Sequence, residues 1–430
     1  MILRYLPVVS VLACFANFAI AEEEKSPDWN TETLTGDWGG TRTNLYDKGI
    51  TLEFGHKSDV LHNMSGGAKR GTAWMGSTEA LASIDMEKLA GWGGTSASIH
   101  YHSQLGSKFG RDYVGGFSGV DNIETGTNTA QFYQAWIQKN FANDSLSILG
   151  GLYPIDSEFY VTDTSGVFIQ PPYGMSNELA QSGLNGPPVF PLGALALRIK
   201  YTSPEKAFYL QGAVTDGVPS DPDNPHGTHI RLNQGDGTLS IVEFGYTPPQ
   251  NESAPDATKS GEHEESEFFN KTAIGYWRYS ARFDDLIDVD AAGNPLRRIS
   301  QGAYFLAERT LMAEKNHPSQ GLSGFVRFGT ASKDIHQADW TGSLGLRYHG
   351  LIDNRDDDIA GIAVTVNHAS NKYRLANSAE SSQTDIEATY RAQIKPWLAL
   401  QPTLQYIQNP NMDPAIQSAW VAGVRTEINF

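Results

Sequence analysis

The chain has 430 residues, with 32 Lys and Arg against 49 Asp and Glu, a formal net charge of −17 at neutral pH. So acidic a chain lacks the basic face that nucleic acid requires, and no nucleic-acid partner is expected. With 40% hydrophobic and 11% aromatic residues it is too apolar for a disordered chain, and its 43 glycines are many for a helical one.

Residues 1–21 read as an export signal. Arg4 precedes an apolar run from Tyr5 to Ile20, and Ala19-Ile20-Ala21 forms a small-residue cleavage site before the acidic Glu22-Glu23-Glu24. The single cysteine, Cys14, falls inside this signal. Lipid attachment at Cys14 is the rival reading, but Val11 and Leu12 fit poorly before an acylated cysteine. Beyond Ala21 no apolar run approaches the ~18 residues of a spanning helix. An exported chain without such a helix is either soluble or a β-barrel, and the periodicity of its side chains decides.

Residues 22–49 form an expected periplasmic segment, with a short helix over 36–49 that Gly49 ends and Leu45 packs inward. From 50 to 430 the pattern has period two. In 195–201, Leu195, Leu197, Ile199 and Tyr201 share one face, and Ala196, Arg198 and Lys200 the other. In 386–394, Ile386, Ala388, Tyr390, Ala392 and Ile394 oppose Glu387, Thr389, Arg391 and Gln393. The apolar faces end in Tyr, Trp or Phe, as an interfacial aromatic girdle does, and the polar faces carry charges that a small closed core cannot hold.

In chain order the pattern gives strands at 50–61, 73–89, 95–103, 131–141, 146–153, 195–201, 207–215, 240–247, 271–282, 302–311, 322–329, 341–348, 358–370, 383–394, 397–407 and 420–430. Short connections (90–94, 142–145, 202–206, 395–396) alternate with long ones (104–130, 154–194, 216–239, 283–301). Short turns at one rim and long loops at the other are the mark of an outer-membrane barrel. The acidic stretch 248–270 breaks the alternation and reads as a solvated insertion of unassigned role. The fold class is therefore all-β, a transmembrane antiparallel β-barrel of about 16 strands with long extracellular loops.

Several segments together resemble the carbohydrate-selective outer-membrane porins of the OprB type. They are Leu34-Thr35-Gly36-Asp37-Trp38-Gly39-Gly40-Thr41-Arg42, Ile84-Asp85-Met86-Glu87-Lys88-Leu89-Ala90-Gly91-Trp92-Gly93-Gly94 and Gln131-Phe132-Tyr133-Gln134-Ala135-Trp136. To these add Asp156-Ser157-Glu158-Phe159, Phe190-Pro191, Asp216-Gly217-Val218-Pro219-Ser220-Asp221-Pro222, Asp236-Gly237, and Glu387 to Arg391 with Trp397 and Gln401-Pro402. The resemblance implies a sixteen-stranded barrel that passes sugars passively, seated in the outer membrane of a Gram-negative cell among lipid and lipopolysaccharide. It also implies one infolded constriction loop and makes Phe430 the signal read by the barrel-assembly machinery. The oligomeric state stays open.

A neutral sugar is favoured by side-chain hydrogen-bond forks and aromatic platforms. Alternation turns Arg198, Lys200, Arg327, Arg347, Arg391 and Arg425 to the lumen, with Glu79, Glu243, Glu387 and Glu427 as acid partners. The same charges also serve, more plainly, to solvate the wall and pair with one another. The constriction loop is expected at 154–194, with Phe168, Tyr173, Phe190, Pro171, Pro172 and Pro191 for rigidity and Glu178 as a sugar acceptor. His100 and His102 share a strand face without an evident third metal ligand, and Asp221, Asp223 and Asp236 lack the EF-hand order, so no metal or other cofactor is expected. The acidic turn Asp353 to Asp358 reads as solvated. No G-x-S-x-G, H-E-x-x-H or phosphate loop occurs, and no enzyme is expected. The expected function is a diffusion channel for monosaccharides or small oligosaccharides. The alternatives are a channel for small anions such as carboxylates, a lipid-acting barrel enzyme and a soluble secreted lectin.

Overall fold

In the computed structural model, residues 26–248, 269–315, 317 and 319–430 are described. The expected export signal 1–21 with Cys14, and all but the edges of the acidic insertion, lie outside the described residues. Among the described residues, no helix is long and apolar enough to cross a membrane.

Crossing falls to strands. They are β1 Ile50–Ser65, β2 Gly71–Asp85, β3 Thr95–Gly106, β4 Thr129–Phe141, β5 Leu146–Tyr153, β6 Ala194–Thr202, β7 Phe208–Asp216, β8 Thr238–Tyr246, β9 Asn270–Val289, β10 Pro295–Ala313, β11 Gly321–Ala331, β12 Ala338–His349, β13 Ile359–Ala369, β14 Ser382–Lys395, β15 Leu398–Gln408 and β16 Ala419–Asn429. Each pairs antiparallel with its chain neighbours, and β1 with β16, so the sheet closes on itself and leaves no edge.

Burial is inverted relative to a water-soluble barrel. Leu197 is 53% exposed on the outer face, while the adjacent Arg198 is 2% exposed on the inner one. An aliphatic exterior around a charged interior is favourable only with lipid outside. Tyr201, Phe208 and Tyr246 ring the exterior near the short turns, and Tyr101, Phe132, Phe328 and Trp420 near the long loops.

The sixteen expected strands are present, with differences that have local causes. The second expected strand stops at Asp85, whose carboxylate accepts from the amides of Glu87 and Lys88 and starts the one-turn helix Met86–Ala90. The expected long connection 283–301 is instead mostly ladder. β9 and β10 run on to a turn at 290–294, where Asp290 accepts from the amides of Ala292 and Asn294.

Two short helices precede the barrel, α1 Trp29–Glu32 and α2 Thr41–Asp47. Helix α2 is shorter than expected, and its buried residue is Arg42, not Leu45. The Arg42 guanidinium lies 4.1 Å from the Trp38 ring and 5.1 Å from that of Trp29, and donates to Thr33 Oγ1 at 2.8 Å and to the carbonyl of Phe430. Asp37 accepts from the Thr43 amide and hydroxyl at 2.8 and 2.9 Å. The Leu34 amide donates to Asn429 O, and the Phe430 amide to Phe54 O, both at 2.8 Å. The Asp-Trp-Gly-Gly-Thr-Arg motif is thus a clip across the β16–β1 seam. Gly49, at φ +86, turns the chain into β1.

Candidate functional site: a lumen narrowed by two loops

Two long loops, not one, enter the barrel. The first joins β3 to β4 (107–128) and buries Phe109, Val114, Val120 and Ile123 against Leu61, Met75, Ile407 and Val421 of the wall. The second joins β5 to β6 (154–193). It buries Ile155, Phe159, Tyr160, Met175 and Leu179 against one part of the wall, and Phe168 and Tyr173 against Phe325. The first was missed as an infolded element because its apolar residues are few and lack a period.

A backbone withdrawn from water must find other partners. The inner wall supplies them, largely with carboxylates. Glu243 accepts from the Tyr160 amide at 2.8 Å and from the Tyr209 and Tyr304 hydroxyls at 2.8 and 2.7 Å. Glu308 accepts from the Thr164 amide and hydroxyl, both at 2.9 Å. Glu387 accepts from the amides of Ile169 and Gln170 at 3.0 and 2.9 Å. Where the loop offers carbonyls, the wall offers donors. Arg327 donates to Tyr173 O and Gly174 O at 2.7 Å each, and Gln401 to Val167 O at 2.6 Å. The returning leg is held at Pro191 O by Gln131 at 2.9 Å and His102 Nε2 at 3.1 Å.

The ten wall charges expected from the sequence all lie on the inner face, but half are sealed beneath the loops. Arg327, Glu243 and Glu387 hold the second loop as described. Arg198 is taken up by Glu158 at 2.8 Å and by Ser147 and Gln138. Arg425 is taken up by Asp59, and by Asp121 and Asn122 of the first loop. These five have no surface for a passing solute.

The expected loop residues are corrected in the same way. Phe168 and Tyr173 pack on Phe325 with ring centroids 6.0 and 6.2 Å away, so neither offers an open platform. Glu178 is 1% exposed, bonded to Ser176 at 2.5 Å, and lies so close to β11 that a Cβ at Gly329 would run into its carboxylate. It is an anchor, not an open sugar acceptor. Phe190 is half-buried between Tyr133 and His102, at 5.3 Å from each ring. Asp358 is also not solvated. It accepts two bonds from Arg355 at 2.7 and 2.8 Å and one from the Tyr390 hydroxyl at 2.5 Å.

Three ion pairs inside the barrel stay partly open, two within the wall and one between Lys200 of the wall and Glu158 of the second loop. Lys57 lies 3.9 Å from Glu79, Lys200 3.6 Å from Glu158, and Arg391 2.8 Å from Glu427. Lys200, the most open, keeps 21% of its side chain exposed. Lys57 and Glu427 are cross-strand neighbours on β1 and β16, so two of the pairs form one ribbon, which His100 extends at 3.5 Å from Glu79. Arg347, 5% exposed, lies over the Phe269 ring at 5.1 Å, nearer the short turns. Lys57 and Glu158 were missed from the sequence, although Lys57 falls on the inward phase of β1.

In the loops, burial pushes the Asp156 carboxyl up to about 6 and that of Glu124 up to about 7. Burial also opposes ionisation of Glu158, but the adjacent Arg198 and Lys200 outweigh it and hold this carboxyl below its ordinary value. Among the described residues, no group of three or more His, Cys, Asp or Glu is disposed to hold a metal. Asp221 instead pairs with Arg231 at 2.5 Å.

The profile of the carbohydrate-selective porin family, OprB, matches residues 69–430. Porin B of Pseudomonas aeruginosa is 24% identical over 451 residues, spanning 96% of this chain and 94% of that protein. The high-pH structure of OprB from Pseudomonas putida superposes with a TM-score of 0.81 at 22% identity, covering 94% of this chain and 100% of that one. The low-pH structure of that protein gives 0.59 at 19% identity, over 93% and 99%. A closed sixteen-stranded wall, an inverted distribution of polarity and a family match over most of the length agree, and the chain belongs to the carbohydrate-selective porins of the OprB family, outer-membrane channels for the diffusion of sugars.

Proposed function

We propose that monosaccharides and small oligosaccharides cross this barrel along the three partly open pairs Lys57–Glu79, Lys200–Glu158 and Arg391–Glu427. The observation that carries the reading is the pairing itself. Each pair presents donors beside acceptors, which is what vicinal hydroxyls, each donor and acceptor at once, complement. A row of unpaired cations suits an anion instead, so the pairing favours sugars over small carboxylates. No catalytic role is assigned to any residue. In this reading the long loops face the cell exterior, the short turns and the helices α1 and α2 face the periplasm, and residues 1–21 direct export.

Liposome swelling with a graded panel of sugars tests the proposal on the wild type, Lys200→Ala and Arg391→Ala. Each variant should change the relative rates among sugars. The salt-gradient reversal potential of the wild type should stay near zero. Unchanged relative rates in both variants, or a strongly anion-selective wild type, defeats the proposal.

A further inference from the structure

The two infolded loops meet at one buried polar knot on the wall. Ser118, on the first loop, donates its hydroxyl to Asp385 Oδ2 of β14 at 2.5 Å. The Asn177 side-chain amide, on the second loop, lies 2.9 Å from the Ser118 hydroxyl and 2.9 Å from Asn367 Oδ1 of β13. Gln383, directly across from Asn367, donates to Asp385 Oδ1 at 2.8 Å and accepts from the Phe117 amide at 2.8 Å. Ser118 is 3% exposed, Asn177 1%, and Asn367, Gln383 and Asp385 0%. With water excluded, every member that loses its partner is left unsatisfied, so the knot is held as a unit.

The knot is distinct from the other anchors of either loop. The apolar anchor of the first loop lies at Leu61, Met75 and Val421, and the second loop is clamped at Glu243, Glu308 and Arg327. At Ser118 and Asn177 the loops touch each other and the same strand pair. A second seam runs beside it, where the Asn122 amide donates to Ile169 O at 2.8 Å.

We infer that Ser118, Asn177 and Asp385 are positioning residues for solute passage: they lock the two loops into one body and so set the width of the lumen. The inference rests on the reading above that solutes pass beside these loops. A wall contact that merely adds stability leaves the width unchanged when it is cut. A lock that spans two loops lets both relax outward.

Single-channel conductance and the polyethylene-glycol exclusion limit, measured on full-length chain in planar bilayers, separate these outcomes, with heat-modifiable electrophoretic mobility reporting a folded barrel. Ser118→Ala and Asn177→Ala should each raise conductance about 1.5- to 2-fold and admit larger polymers. The double variant should do no more than the larger single, because both changes cut the same lock. Asp385→Asn, which keeps an acceptor for Ser118, should stay near wild type, whereas Asp385→Ala should open the lumen. Should Ser118→Ala fail to fold, Asn177→Ser shortens the loop side chain without stranding Asp385 and carries the same test. Folded single variants with wild-type conductance and exclusion limit, or single effects that sum, overturn the inference. A wild-type channel indifferent to sugars defeats the preceding reading alone, since polymer exclusion needs no sugar recognition.

Discussion

Arg425 grips Asp59 across the β16–β1 seam, with Nε 3.0 Å from both carboxylate oxygens and Nη2 2.6 Å from Oδ2. Both side chains are sealed from solvent, and Asp121 joins at 3.3 Å. One guanidinium therefore serves two buried acids. Arg425→Ala should cost about 3–5 kcal/mol, because removing one partner strands the other charge. The urea midpoint of the folded barrel in detergent measures it, and a loss below about 1 kcal/mol would show the pair to be nearly neutral for stability.

The Arg42 clip should act on stability and not on flux. Its guanidinium stacks on Trp38 and bonds to Thr33 and Phe430 at the β16–β1 seam, and belongs to none of the three open pairs. Arg42→Ala should lower the thermal midpoint, at a cost of about 1–3 kcal/mol, with conductance unchanged. Arg42→Lys should rescue little, since an ammonium lacks the planar fork. Equal midpoints for Lys and Arg would refute this account.

Glu308 holds one stretch of the second loop by two bonds from Thr164. Glu308→Ala leaves that amide unpaired at about 1–3 kcal/mol. The expected signature is a noisier open-channel current together with an unfolding midpoint lowered by that cost. A quiet channel of wild-type conductance would mean that neighbouring clamps suffice.

Asp156 predicts a pH dependence with a definite sign. It accepts from the Tyr133 hydroxyl and the Phe190 amide, both at 2.8 Å, yet burial raises its pKa from 3.8 to about 6. Between those values the folded protein binds a proton that the unfolded chain releases. Stability contributed by this group therefore falls as pH rises from about 4 to 6. Asp156→Asn should flatten unfolding free energy against pH over that window. An unchanged slope would assign the dependence to other groups.

The wall was legible in the sequence because a strand with lipid on one side and water or polar loop on the other must alternate. Arg198 beside Leu197 and Ile199 states that rule in three residues. The upper limits of β9 and β10 were not legible, since beyond the membrane nothing imposes alternation, and residues 283–301 read as loop. The site was legible only in part. Alternation turned Arg327 and Glu387 inward, but whether an inward charge meets solute or loop backbone depends on where 154–193 lies. That path is set by contacts such as Glu387 with the Gln170 amide, between residues 217 apart in sequence, and no local pattern encodes it.

Glu243, Glu308 and Glu387 hold the second loop through main-chain amides, and Arg327 and Gln401 through main-chain carbonyls. Such contacts are blind to the identity of the side chain at the residue they grip. The side chains of Tyr160, Thr164, Ile169, Gln170 and Tyr173 are nonetheless buried, so they seat the loop alongside its main chain, and substitutions that retune what the channel admits must fall at other loop positions.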